Sequence, residues 1–162
     1  MWEYDPGLMR RAIELSRRAI STPGAEPFGA VVVKNGRIVG EGFNLSKASF
    51  DPTSHGEVEA IRDACRRLQT VDLSGCELYS SCEPCAICVA TMTAVGIGKL
   101  YYAASLRQAG EALSGVEGTR RHSRDPDLLR SEAGKPPHER LMPAEQHQAA
   151  EALIVLREWA AT

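Results

Sequence analysis

His55-Gly56-Glu57-Val58-Glu59-Ala60-Ile61, followed further along by Pro84-Cys85-Ala86-Ile87-Cys88, decides how this chain is read. One histidine and two cysteines spaced C-x-x-C can hold a zinc ion through three ligands and leave a fourth position open to water. Cys85 and Cys88 lie three apart at a helix start, so both sulfurs reach the same side of the first turn. The helix N-terminus and the metal both favour the thiolate forms that bind. Glu57, two residues past His55, is placed to move protons between such a water and a substrate. The two motifs together are far more specific than either half, and each opens a helix.

Working outward, the helix begun by His55 runs to about Leu68, with Val58, Ile61, Cys65 and Leu68 on its buried side. Upstream, Asp5-Pro6 has the form of an N-cap followed by proline at the first helical position. Met9, Ile13 and Ile20, with Ala12 and Leu15, give this first helix its apolar stripe, and Thr22-Pro23-Gly24 stops it. Gly29 to Lys34 is a β-branched run, Asn35-Gly36 a two-residue hairpin turn, and Arg37 to Phe43 the returning strand. Downstream come a short strand from Glu77 to Ser80, a helix over 84–95 that opens on the C-x-x-C, and a strand from Lys99 to Ala104. The order helix, hairpin, helix, strand, helix, strand implies an α/β sandwich around one mixed sheet. From Ser114 to Pro137 the chain turns rich in Gly, Pro, Arg and Asp and loses apolar periodicity, which predicts a long surface excursion able to cover the site. A closing helix is expected from Ala144 to Ala160, with Leu153, Leu156 and Trp159 docking on the body or on a partner subunit.

With 162 residues, 43 % of them hydrophobic, the chain suits one domain over 1–162 with a full core. A net charge of -2 gives no global attraction to phosphate backbones and disfavours a dedicated nucleic-acid binder, though Arg120, Arg121 and Arg124 form a local basic patch. No apolar run reaches bilayer-spanning length, so no membrane association is expected. The polar, acidic start Met1-Trp2-Glu3-Tyr4-Asp5-Pro6 lacks signal-peptide character, and cytoplasmic residence is the expectation. Five cysteines, Cys65, Cys76, Cys82, Cys85 and Cys88, point to metal binding and buried thiols, not to a disulfide framework.

Cys82 stands in a second C-x-x-C with Cys85. As a fourth ligand it would close the metal site as Cys₃His; its simpler reading is a small buried thiol. Cys65 and Cys76 read as core thiols, and Glu59 as an exposed helix residue. Glu57 alone would also pass for a solvent-facing helix carboxylate; its place beside the metal motif assigns it catalysis.

The combination H-x-E…P-C-x-x-C is a known signature of zinc nucleobase deaminases. The chain resembles the cytidine deaminase superfamily and, within it, the bacterial guanine deaminase branch. Further stretches carry the likeness: Pro27-Phe28-Gly29-Ala30-Val31-Val32-Val33, Gly42-Phe43-Asn44, Asp51-Pro52-Thr53-Ser54-His55, Tyr79-Ser80-Ser81-Cys82-Glu83-Pro84, Tyr101-Tyr102-Ala103-Ala104 and Lys135-Pro136-Pro137-His138-Glu139-Arg140. The resemblance implies one Zn²⁺ on His55, Cys85 and Cys88, with Glu57 as proton shuttle. It implies substrate contacts from Asn44 and Phe28; backbone N–H groups from Ser81 to Cys85, around Pro84, and at the helix start by His55 and Gly56 are expected to hold the product oxygen and ring polar groups. It also implies a three-layer α/β/α sandwich with a mixed five-stranded sheet, a homodimer, and a C-terminal segment, about 138–162, exchanged between subunits.

Three departures stand out. Gly56 replaces the more usual alanine. The branch's acidic pair after the Tyr-Ala-Ala strand is missing from Leu113-Ser114-Gly115-Val116, and Asp125-Pro126-Asp127 offers a substitute acid, Asp125 or Asp127. The tail Trp159-Ala160-Ala161-Thr162 lacks the branch's terminal aromatic closure. The expected activity is hydrolytic deamination of a small aminopurine or related amino-heterocycle, guanine first. Alternatives are a tRNA adenosine deaminase, a cytosine or aminotriazine deaminase, and a zinc-stabilised binding domain without turnover.

Overall fold

The computed structural model describes residues 2–116 and 125–162. The basic cluster Arg120, Arg121 and Arg124 lies outside them. Helix α1, Pro6–Arg17, starts as its sequence predicts: the Asp5 side chain accepts from Gly7 N, and Pro6 holds the first helical position. Strands β1, Glu26–Lys34, and β2, Arg37–Asn44, form the expected hairpin. Asn35 and Gly36 both take positive φ, the conformation a two-residue turn needs to match strand twist. Then follow α2, Gly56–Leu68, β3, Cys76–Cys82, α3, Ala86–Ala94, and β4, Lys99–Ala104.

Among the described residues the sheet has four strands in the order β2-β1-β3-β4, with β3 and β4 parallel and the other pairs antiparallel. The fifth strand implied by the resemblance is not among them. After β4 the chain forms α4, Leu106–Ala112, and then α5, Pro126–Ala133.

Alternation along β1 builds two cores. Val31 and Val33 pack with Tyr79 against Leu8, Met9, Ala12 and Leu15 of α1. Ala30 and Val32 pack with Leu78 against Ala60, Ile61 and Ala64 of α2 and Met92 of α3. The stripe of α1 differs from the expected one. The helix tightens into a 3-10 turn at Arg18–Ser21, which rotates Ile20 out to 83 % exposure, and Ile13 also faces solvent. The final helix α6, Ala149–Ala160, begins later than expected because Gln148 takes a left-handed backbone, and its Leu153, Leu156 and Trp159 do not dock on the body but stay exposed.

Candidate active site

The ends of β1, β2 and β3 and the N-termini of α2 and α3 converge on one point. His55 is the N-cap of α2 and Cys85 the N-cap of α3, both in extended backbone, and Cys88 lies one turn into α3. The sulfurs of Cys85 and Cys88 are 3.7 Å apart, and His55 Nδ1 lies 3.5 and 3.4 Å from them. Ordinary Zn–S and Zn–N bond lengths give tetrahedral edges of about 3.8 Å for S···S and about 3.6 Å for S···N. The donor set therefore fits zinc in chemistry and in spacing. Among the described residues these three form the group able to hold a metal. Cys82 is buried outside it, so among the described residues no fourth protein ligand joins the three and no Cys₃His site forms.

The cluster is electrostatically primed. Cys88, and after it His55, hold the Cys85 thiol down at about 4. Cys85 in turn raises His55, while the same thiolate and burial push Cys88 up. A divalent cation bound there would displace the protons these donors hold and let both sulfurs bind as thiolates.

Glu57, on the first turn of α2, is 5 % exposed. Its Oε1 accepts from Ser80 Oγ at 3.1 Å, and its Oε2 lies 3.4 Å from Cys88 Sγ. Burial pushes its carboxyl above the usual carboxylate range. A carboxyl raised in this way holds a proton more readily than an exposed one, as a group that takes up and returns protons must.

A cavity of about 240 Å³ opens over these groups. Phe28 and Asn44 line it as expected, whereas Gly56 and Pro84 are buried in the flanking backbone and do not. Leu106 of α4 and Pro126 and Leu129 of α5 also line it, so the described part of the excursion, α5, reaches the site. Asp125 is not on the cavity wall; its carboxylate accepts from Asp127 N and caps α5. Sequence reasoning missed Glu26 and Glu83 among the lining residues. Glu83 Oε2 accepts from Leu106 N at 3.0 Å and seats α4 beside the metal cluster. The capping box of Ser105 and Gln108 and the Asp-Pro pair Asp125-Pro126 were available signals for α4 and α5.

Three nitrogen and sulfur donors around one metal, with a dry carboxylate beside them on an α/β scaffold, define a zinc-dependent hydrolytic site. Residues 3–104 match the cytidine and deoxycytidylate deaminase zinc-binding region, and the chain belongs to that family as a hydrolytic deaminase. It is 36 % identical to the guanine deaminase of Bacillus subtilis over 151 residues, 93 % of this chain and 90 % of that protein. The solved structure of the guanine deaminase from that organism superposes with a TM-score of 0.83 at 35 % identity, covering 99 % of this chain and 96 % of that one. A structure of guanine deaminase from Nitrosomonas europaea gives a TM-score of 0.63 at 26 % identity, covering 100 % of this chain and 88 % of that one. The tRNA-specific adenosine deaminase of Aquifex aeolicus is 38 % identical over 106 residues, 65 % of this chain and 70 % of that protein.

Proposed function

We propose that this chain hydrolyses the exocyclic amine of a small aminopurine or related amino-heterocycle, with guanine the leading substrate. The observation that carries this is likeness to the Bacillus subtilis guanine deaminase structure over 99 % of the chain, including α4 and α5, which roof the cavity. A cavity of about 240 Å³ suits a single ring system; pockets for drug-sized ligands run from roughly 300 Å³ upward.

His55, Cys85 and Cys88 would hold the zinc, which when bound supplies the Lewis acidity that makes water nucleophilic near neutral pH. Glu57 takes a proton from the attacking water and delivers it to a ring nitrogen of the substrate. A C–O bond forms at the carbon bearing the amine. Glu57 then takes the second proton, from the newly bonded hydroxyl, and passes it to that amine; the C–N bond breaks, and ammonia leaves a carbonyl behind. Ser80 holds Glu57 Oε1 for both transfers, and Asn44 and Phe28 hold the ring, one by hydrogen bonding and the other by packing. The backbone at Gly56 and Pro84 frames the pocket, and Asp125 contributes by fixing α5 over it.

The exposed apolar residues of α6 fit a homodimer in which the segment from about 138 to 162 packs on a second copy. A role in purine metabolism inside the cytoplasm follows from this substrate class.

The runner-up is a tRNA adenosine deaminase, favoured by the 106-residue match to the Aquifex aeolicus enzyme. Ammonia release by zinc-loaded protein from guanine, guanosine, adenine, cytosine, ammeline and an adenosine-containing tRNA anticodon loop decides between them. Free-base turnover that disappears in Glu57→Ala with zinc retained supports the proposal; turnover of the tRNA alone replaces it with the runner-up.

A further inference from the structure

Helix α4 reaches the cavity through Leu106, yet it buries none of its side chains. It spans Leu106–Ala112, too short to be stable in isolation, so something outside it must set where it lies. Ser105 and Gln108 cap it from within: Ser105 Oγ accepts from Gln108 N at 3.2 Å, and Gln108 Oε1 accepts from Ser105 N at 2.9 Å. Arg107 pairs with Glu111 along the same helix. None of these bonds ties the helix to the body. Glu83 does, because its Oε2 accepts from Leu106 N, the first N–H of α4, at 3.0 Å.

Glu83 stands on a stiff base. Its own N–H donates to Ala104 O at 2.7 Å, at the end of β4. Its chain neighbours are Cys82, the last residue of β3, and Pro84, whose ring fixes φ. Cys85 of the metal cluster follows directly. Glu83 and Leu106 both line the cavity. One carboxylate therefore links the segment that carries a zinc donor to a wall residue 23 positions further on. A bond from an amide to a carboxylate is charge-assisted and roughly twice as strong as a neutral one. Holding Leu106 by its backbone N–H limits how far the side chain can withdraw from a ring packed on it.

We propose that Glu83 is a positioning residue: from the metal loop it sets Leu106 at the depth where a ring bound in the cavity packs on it, and so supports substrate binding and not the proton transfers. This rests on the reading of the chain as a deaminase of small amino-heterocycles.

Zinc-loaded wild type, Glu83→Ala, Leu106→Ala and the double variant form a cycle on guanine, with kcat and KM from ammonia release and zinc content measured on each. Glu83→Ala should raise KM about 10-fold while kcat stays within about 2-fold and zinc is retained. Leu106→Ala should raise KM as well, and the double variant should be no worse than the poorer single one, because both changes remove the same contact. Glu83→Gln keeps an acceptor oxygen without the charge and should recover most of the loss, with KM about 3-fold above wild type. Should the alanine variant fail to fold, the glutamine variant takes its place in the cycle. Additive losses, an unchanged KM, or a fall in kcat, which would put Glu83 on the reacting ligand itself, overturn the assignment. Should wild type release ammonia from no base of the panel above, the deaminase reading fails on its own. Amide hydrogen exchange then decides Glu83. Leu106 N–H should exchange faster in Glu83→Ala than in wild type or Glu83→Gln, and equal exchange overturns it.

Discussion

Ser80 Oγ donates to Glu57 Oε1 across 3.1 Å, joining the central strand β3 to the first turn of α2 in a region closed to solvent. Cys82 N reaches the same hydroxyl at 3.4 Å, so Ser80 is itself held in place. The bond fixes the rotamer of a carboxylate that, in the proposed reaction, faces two proton acceptors in succession. Ser80→Ala removes one donor from a buried charge, a loss of about 1–3 kcal/mol for an unsatisfied group. We expect kcat to fall about 10-fold or more with KM and zinc content near wild type, and Ser80→Thr to recover most of it. An unchanged kcat in Ser80→Ala would show that α2 alone positions Glu57.

Gly56 separates His55 from Glu57, the proposed proton shuttle, and its backbone lies tight against β1. A Cβ placed there would be 2.6 Å from the Phe28 carbonyl oxygen and 3.2 Å from Gly29 Cα. Both are main-chain atoms, so the strand itself would have to move. The alanine expected at this position from the resemblance is thus not interchangeable with glycine here. Gly56→Ala should cost about 1–3 kcal/mol, a Tm drop of roughly 3–10 °C, and should raise KM because Phe28 lines the cavity. A variant as stable as wild type, with unaltered KM, would mean that β1 yields freely.

Local rules made much of this legible in advance. Asp5-Pro6, Asn35-Gly36, His55 and Cys85 each declare an element end through their own backbone chemistry, and the structure places all four at such ends. The metal cluster was readable for the same reason: C-x-x-C at a helix start needs only one turn of helix to bring its sulfurs together. What escaped depends on distance in space. Glu26 is an ordinary acidic residue in sequence and becomes a cavity group only when β2 and the α5 roof assemble around it. The bond from Ser80 to Glu57 crosses 23 positions and has no sequence mark. The fifth strand was inferred from resemblance, whereas the residues themselves signalled four, and four are present among the described residues.

Arg11 ties α1 to β2 through two bonds to Glu41, Nε to Oε1 at 2.7 Å and Nη2 to Oε2 at 3.0 Å. That pairing, hydrogen bonding first, lowers the Glu41 pKa from its usual 4.5. A depressed carboxylate pKa adds stability above the unfolded value and loses it as pH falls through the folded one. Both side chains are partly exposed, so Arg11→Met should cost only about 1 kcal/mol at pH 7, or roughly 2–4 °C in Tm. The gap between variant and wild type should close as pH drops below about 4. A gap constant with pH would assign the cost to packing of the Arg11 stem.

Leu153, Leu156 and Trp159 leave an apolar face on α6 that the body does not cover, Trp159 being 77 % exposed. If a second copy covers it, Leu156→Asp with Trp159→Glu should convert a dimer to a monomer by light scattering. A wild-type chain that is monomeric at micromolar concentration would end the dimer proposal.

Zinc should couple folding to chemistry, because His55 and Cys85 are the N-caps of two different helices. A ligand present at about 1,000 times its Kd adds about 4 kcal/mol, so chelation should lower Tm by roughly 8–16 °C. The stripped protein should also reveal the thiol chemistry of the cluster. Cys88 and His55 hold the Cys85 thiol at about 4, so Cys85 should be thiolate throughout the neutral range. Its alkylation by iodoacetamide should then be nearly flat from about pH 5 to 8, where an ordinary thiol accelerates roughly 10-fold per unit. Adding zinc back should protect it. Cys88→Ala removes the leading cause of the depression, and the rate at Cys85 should then climb with pH. A steep climb already present in the stripped wild type would mean that the three side chains do not stay together without the metal, and that zinc assembles the site instead of entering one already formed.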